Sequence, residues 1–275
     1  MADPCKVCYR HCLPAEGKPG VCGARRTVNG EVVCDNYGKL TSIALDPIEK
    51  KPLQHFHPGS LILSVGSYGC SLHCPFCQNH EISMPQEGLR YRDVSPEELA
   101  DLAYELKDRG NIGVAYTYNE PLISYEYVRD CGKLVHEKGM YNVLVSNGMA
   151  TLEVLEEIRP YIDAMNIDLK SFSEDWYREV LGGDLNMVKS FVAEAVKSAH
   201  VEITTLLIPG VNDSEEEVRQ MASWIASLDR GIPYHLSRFF PAYKMADRQP
   251  TPVKTVYQLA AVASQYLDHV HTGNC

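Results

Sequence analysis

No run of this 275-residue chain approaches the roughly 18 apolar residues that a membrane helix needs, and the opening MADPCKVCYRHC has no apolar core of signal-peptide length. A cytoplasmic protein with no membrane partner is therefore expected. Basic residues are also scarce relative to acidic ones. The 26 Lys and Arg against 36 Asp and Glu leave a net charge of −10, which argues against a broad nucleic-acid or anionic-membrane surface. No internal repeat is visible, and with 45% apolar and 23% charged residues the composition suggests neither disorder nor a fibre.

What the chain has in excess is cysteine, ten in all. Reducing conditions disfavour disulfides and steer clustered thiols toward metal binding or catalysis. One set is Cys5, Cys8, Cys12 and Cys22, spaced C-x2-C-x3-C-x9-C; a second is Cys70, Cys74 and Cys77 within GCSLHCPFCQNH. Cys34, Cys131 and Cys275 stand apart, and Cys131 lies on a helical pattern that suits packing. Thiolates held close together repel and need a cation between them. Structural zinc takes four ligands, whereas an iron–sulfur cube on three cysteines leaves one iron open to a substrate. His73 or His80 is the alternative fourth ligand. For the first set the spacing leaves structural zinc and a second cluster both open, with His11 a further candidate donor.

From residue 60 onward, short β-branched runs alternate with longer amphipathic ones, the rhythm of a parallel α/β sheet. Strands are expected at 61–67, 112–118, 141–145, 164–169, 201–208 and 232–239, with 269–272 a seventh. Helix signals fall between them: Ser95-Pro96-Glu97-Glu98 joins an N-cap serine, a proline and a capping glutamate, and Gly110 and Gly139 close two runs. The domain division predicted is a Cys-rich subdomain at 1–58, too short to build a core of its own, and a barrel at 59–275. Ligands of such folds bind where strands end. Here those ends carry Cys70, Cys74 and Cys77, then Asn119-Glu120, Ser146-Asn147-Gly148, Asp168 with Lys170, Asn212-Asp213, and finally His235 and Arg238.

The spacing C-x3-C-x2-C after the first strand, with Phe76 before the last cysteine, resembles the signature of the radical SAM superfamily. DPIEKK at 46–51, CPFCQNHEIS, YTYNEP, SNGM, NIDLK, LLIPGVND and YHLSRFFP further resemble the radical SAM enzymes of the AmmeMemoRadiSam system, relatives of pyruvate formate-lyase activating enzyme. The resemblance implies a partial (β/α)6 TIM-like barrel with a [4Fe-4S] cluster on Cys70, Cys74 and Cys77. S-adenosylmethionine would chelate the open iron, and an electron from a reductant such as flavodoxin or ferredoxin would release a 5′-deoxyadenosyl radical that takes hydrogen from a substrate. It further implies that Asn119-Glu120 occupy the Gly-Gly-Glu position, with Glu120 accepting from the methionine amine. Ser146 and Asn147 would meet ribose or carboxylate, Phe76 the adenine, Asp168 and Lys170 the methionine end, and His235 the nucleoside. Val145 stands where the activases carry an aspartate for a monovalent cation. A glycyl-radical enzyme activase would share every one of these sites, while a non-enzymatic metal or electron carrier would give no role to the polar residues around the cysteines.

Overall fold

The computed structural model describes residues 3–84 and 88–275, so residues 1 and 2 of the predicted subdomain lie outside the described residues. Eight strands form the main sheet: β1 (Ser42–Pro47), β2 (Leu61–Gly66), β3 (Asn111–Tyr116), β4 (Tyr141–Ser146), β5 (Ala164–Asp168), β6 (His200–Leu207), β7 (Tyr234–Arg238) and β8 (Val270–Gly273). Each strand lies beside its neighbours in the chain, from β1 at one edge to β8 at the other. Strands β2 to β8 are parallel, and β1 joins β2 antiparallel. Parallel neighbours need long crossovers, and helices supply them: α1 (Pro96–Glu105), α2 (Tyr125–Glu137), α3 (Leu152–Ile158), α4 (Leu185–Ala195), α5 (Glu215–Leu228) and α6 (Val253–Ala263). This is the partial TIM-like barrel expected from the sequence, and the seventh parallel strand is present as β8.

Three features depart from the sequence reading. Strand β1 falls inside the segment assigned to the Cys-rich subdomain, yet it pairs with β2 from Ser42↔Gly66 to Pro47↔Leu61. The strand expected to reach 118 stops at Tyr116 because Tyr118 adopts a left-handed backbone, with φ 70°. A π-turn at Trp176–Leu181 precedes α4 and had no counterpart in the expected pattern.

The barrel lumen is filled from below. Ile48 and Leu53 pack with Ile62, Ala115, Val143 and Ala164 in an apolar cluster separate from the outer, helix-covered core. The segment carrying Ile48 and Leu53 is held by a buried carboxylate. Glu202 accepts from the backbone amides of Gln54 (3.0 Å) and His55 (2.8 Å), and meets His200 Nε2 at 2.9 Å and His235 Nε2 at 2.6 Å. These contacts hold the Glu202 carboxyl well below its usual range although burial acts the other way. Across the seam, His55 Nε2 lies 2.9 Å from His271 Nε2 on β8.

The amino-terminal segment folds against the upper rim. Arg25–Val28 and Glu31–Cys34 form a hairpin, the Thr151 amide donates to Val7, and the Arg25 guanidinium reaches Ile123 O and Glu126. The Cys70 amide donates to Cys22 O at 3.1 Å. Gly69 makes this approach possible, because at φ 86° a Cβ there would lie 2.5 Å from Cys22 O.

Candidate active site

Strand β2 ends at Gly66, and the chain then turns through Ser67 to Cys70 beneath the residues that leave β3. A Cβ on Gly66 would stand 2.9 Å from Thr117 O, so the missing side chain lets the two strand ends meet. Asn119 fixes the turn: its Oδ1 accepts from Ser67 N at 2.9 Å, and its Nδ2 donates to Tyr68 O and Gly69 O, both at 3.1 Å. Its amide thus shapes the loop that presents Cys70.

A cavity of about 290 Å³ opens at this end of the barrel. Cys70, Cys74 and Cys77 line one side, with Phe76 between them in sequence, and Asn119, Glu120, Ser146, Asn147, Asp168 and Lys170 line the rest. These are all the predicted cluster and cofactor contacts except His235. The register shows where that residue lies. His235 pairs with Thr204, which does line the cavity, but its ring bonds to Glu202, two residues nearer the barrel floor, and stacks on His271. Neither His73 nor His80 lines the cavity. His80 instead stacks on Tyr243 with ring centroids 4.5 Å apart.

Glu120 is 2% exposed and accepts three hydrogen bonds, from Ser146 Oγ (2.8 Å), Asn147 N (2.8 Å) and Leu122 N (3.0 Å). Burial nonetheless dominates these bonds and pushes its carboxyl up to about 7. A cation beside it would restore the carboxylate, so the site is suited to an ammonium group. Lys170 Nζ sits 2.9 Å from Asp168 and 6.0 Å from the centroid of the Phe76 ring. Burial opposes its charge, but Asp168 holds the ammonium well above its usual value.

The thiols show why a metal fits. Burial pushes Cys70 well up and Cys74 to about 11, so the fold alone does not favour their ionised forms. A polycation such as an iron cluster would. Among the described residues no three Cys, His, Asp or Glu side chains converge closely enough to hold a single metal ion. A four-iron cube separates its thiolates more widely than one ion does, and three sulfurs on one cavity wall suit it. Cys5, Cys8, Cys12 and Cys22 also share one small enclosed space, together with Ser71, and none of the ten cysteines is in a disulfide. Burial lifts Cys8 to about 11, and the His11 ring faces Cys5 O. Cys131 is buried in the core of α2, as its helical pattern suggested.

Sequence reasoning missed Thr204 and Ser237, which line the cavity from β6 and β7. Thr204 is 7% exposed and its hydroxyl has no partner. The available signal was strand alternation, since Glu202, Thr204 and Leu206 share one face. Tyr118, also on the cavity wall, donates to Asp46 Oδ2 at 2.6 Å, and Lys51 Nζ meets the same carboxyl oxygen at 2.9 Å. The DPIEKK stretch therefore reaches the lumen beside the site.

The sequence profile of the Radical SAM superfamily matches residues 64–222. An uncharacterized protein of Methanocaldococcus jannaschii is 38% identical over 98% of this chain and 80% of its own. A protein of Clostridium pasteurianum named pyruvate formate-lyase-activating enzyme is 27% identical over 61% of this chain and 72% of its own. In structure, the chain resembles Streptococcus suis SuiB bound to S-adenosylmethionine (TM-score 0.61, 14% identity, 78% of this chain and 52% of that one). It also resembles a domain of the activating enzyme from Bacteroides vulgatus (TM-score 0.52, 21% identity, 59% of this chain and 99% of that one).

Proposed function

Because the chain belongs to the radical SAM superfamily, we propose that it reductively cleaves S-adenosylmethionine and removes hydrogen from a substrate yet to be identified. One observation carries this reading: three cysteines, a buried carboxylate and a Lys–Asp pair from different strand ends line a single cavity. Cys70, Cys74 and Cys77 would hold a [4Fe-4S] cluster. When reduced by one electron, that cluster would pass the electron to bound S-adenosylmethionine, whose C–S bond would break to methionine and a 5′-deoxyadenosyl radical.

The chain's own residues bind and orient. Glu120 would accept from the methionine amine, a charge-assisted bond that contributes about 1.5–3 kcal/mol. Ser146 holds the Glu120 carboxyl in position from behind. Lys170 would meet the methionine carboxylate while Asp168 fixes the lysine's direction, and Phe76 would lie against the adenine. An external one-electron reductant, flavodoxin or ferredoxin in class, completes the system.

The motifs from DPIEKK to YHLSRFFP support membership of the AmmeMemoRadiSam group, and no helix among the described residues is long and apolar enough to cross a membrane. A cytoplasmic site of action accords with the ten free thiols. The amino-terminal cysteines are read as a zinc site or a second cluster. A second reading, activation of a glycyl-radical enzyme, draws on relatives that carry that name. A glycine radical signal appearing on a mixed partner protein would select it.

The test is anaerobic reconstitution with iron and sulfide, followed by dithionite and S-adenosylmethionine. The protein should form 5′-deoxyadenosine, and Cys77→Ala should not. Equal yields from the two proteins would end the cluster assignment.

A further inference from the structure

Asn147 lines the cavity and also bonds within the protein. Its Oδ1 accepts from the Met149 amide at 2.8 Å, and its backbone amide donates to Glu120 Oε2 at 2.8 Å. Its Nδ2 faces two acceptors, Ser71 Oγ at 3.2 Å and Cys70 Sγ at 3.5 Å. The residue is 4% exposed, so no water competes freely for that amide. The side chain that lines the cavity thus also reaches a sulfur.

The three thiols are not treated alike. Cys70 Sγ receives Asn147 Nδ2 and also the Leu72 amide at 3.4 Å, whereas among the described residues no side-chain donor meets the sulfur of Cys74 or Cys77. A cluster gains one negative charge when reduced, and donors aimed at a ligand sulfur stabilise the more negative state. Hydrogen bonds to sulfur are one of the main determinants of cluster potential.

We propose that Asn147 is a positioning residue that sets the reduction potential of the cluster by donating to Cys70, and that it links this sulfur to Glu120, the acceptor for the methionine amine. The proposal rests on the cluster assignment of the preceding section. It explains why the SNGM segment carries an amide next to Ser146. Ser146 addresses the carboxylate through its hydroxyl, Asn147 addresses it through its backbone, and only the Asn147 side chain reaches the sulfur. A change at Glu120 on cofactor binding is thereby transmitted along one residue to the iron ligand.

The experiment is an EPR-monitored redox titration of the reconstituted enzyme and two variants. Asn147→Asp keeps an acceptor for Met149 N but removes the donor and adds a negative charge that itself lowers the potential, so the shift in the uncharged variant decides. Asn147→Leu keeps bulk and removes both, and the two together guard against a single variant that fails to fold. The Leu72 donor remains, so a partial effect is expected. Reduction should become about tenfold less favourable, a downward shift of about 59 mV for a one-electron couple. Loosened packing alone would admit water, which favours the more charged reduced state and moves the potential upward. The sign therefore separates tuning from damage. Ser71→Ala, which removes the hydroxyl that meets both ends of the Asn147 amide but leaves the donor to Cys70, should leave the potential within a third of that shift. An unchanged or raised potential in the uncharged Asn147 variant overturns the proposal. Absence of any iron–sulfur spectrum in the unmodified protein would instead overturn the cluster reading on which it stands.

Discussion

Replacing Glu202 by glutamine tests how the barrel floor is held. The carboxylate is fully buried and meets four partners, the amides of Gln54 and His55 and the rings of His200 and His235. Glutamine keeps one acceptor oxygen and turns an NH2 group toward the other two partners. A buried donor left without an acceptor costs about 1–3 kcal/mol, so two such losses amount to about 4 kcal/mol. That is a large share of a total stability of about 5–15 kcal/mol. At about 2–4 °C per kcal/mol for a chain of this size class, the unfolding midpoint at pH 7 should fall by about 8–16 °C. The sign with pH is fixed as well. The carboxyl is held below its unfolded value of 4.5, so its contribution is present above that pH and is lost as pH falls through and below it. The gap between the two proteins should narrow below pH 4.5. Thermal unfolding followed by circular dichroism at pH 7 and pH 4 measures both. A drop of less than about 2 °C at pH 7, or a gap that widens on acidification, would refute the reasoning.

Other outcomes follow from the same geometry. Glu120→Gln should weaken S-adenosylmethionine binding by about tenfold to a hundredfold, from the about 1.5–3 kcal/mol of a charge-assisted bond, measured by equilibrium dialysis of the reconstituted protein. Because burial raises Glu120 from 4.5 to about 7, the cofactor-free protein should lose stability as pH climbs through that interval, on the order of 3 kcal/mol. Urea titrations of Glu120→Gln should show no such slope. Ser95→Ala removes a capping box in which Ser95 and Glu98 bond reciprocally, and should cost about 1 kcal/mol in the same assay. Elemental analysis of a Cys70, Cys74, Cys77 triple alanine variant should find residual zinc or iron at the amino-terminal thiols; finding neither would remove that site.

The parallel core was readable because burial on both faces leaves β-branched runs and helix caps are local signals, as at Ser95 and Gly110. Strand β1 was hidden by its place at the sheet edge, where half of SIALDP faces outward and nothing local announces a partner. The cavity residues that follow a strand within a few positions, such as Cys70, Glu120, Ser146 and Lys170, were legible from order along the chain. The level of His235 in the barrel was not legible, because its motif names a strand but not a depth. Only the pairing with Thr204 and the pull of Glu202 show that the ring lies beneath the cavity. Thr204 itself is one letter in a strand, with no chemistry to flag it until the barrel closes around it.

The bond from the Cys70 amide to the Cys22 carbonyl makes the two thiol sets mechanically continuous. Cys70, the first of the proposed cluster ligands, hangs from the same peptide that carries the last amino-terminal thiol, with Gly69 as the joint. A chain shortened past residue 22 would free that amide and leave the joint unsupported, so it should lose iron faster even with all three of its own ligands intact. Oxidative damage at the amino-terminal thiols would reach the proposed cluster site by the same lever, without touching it chemically.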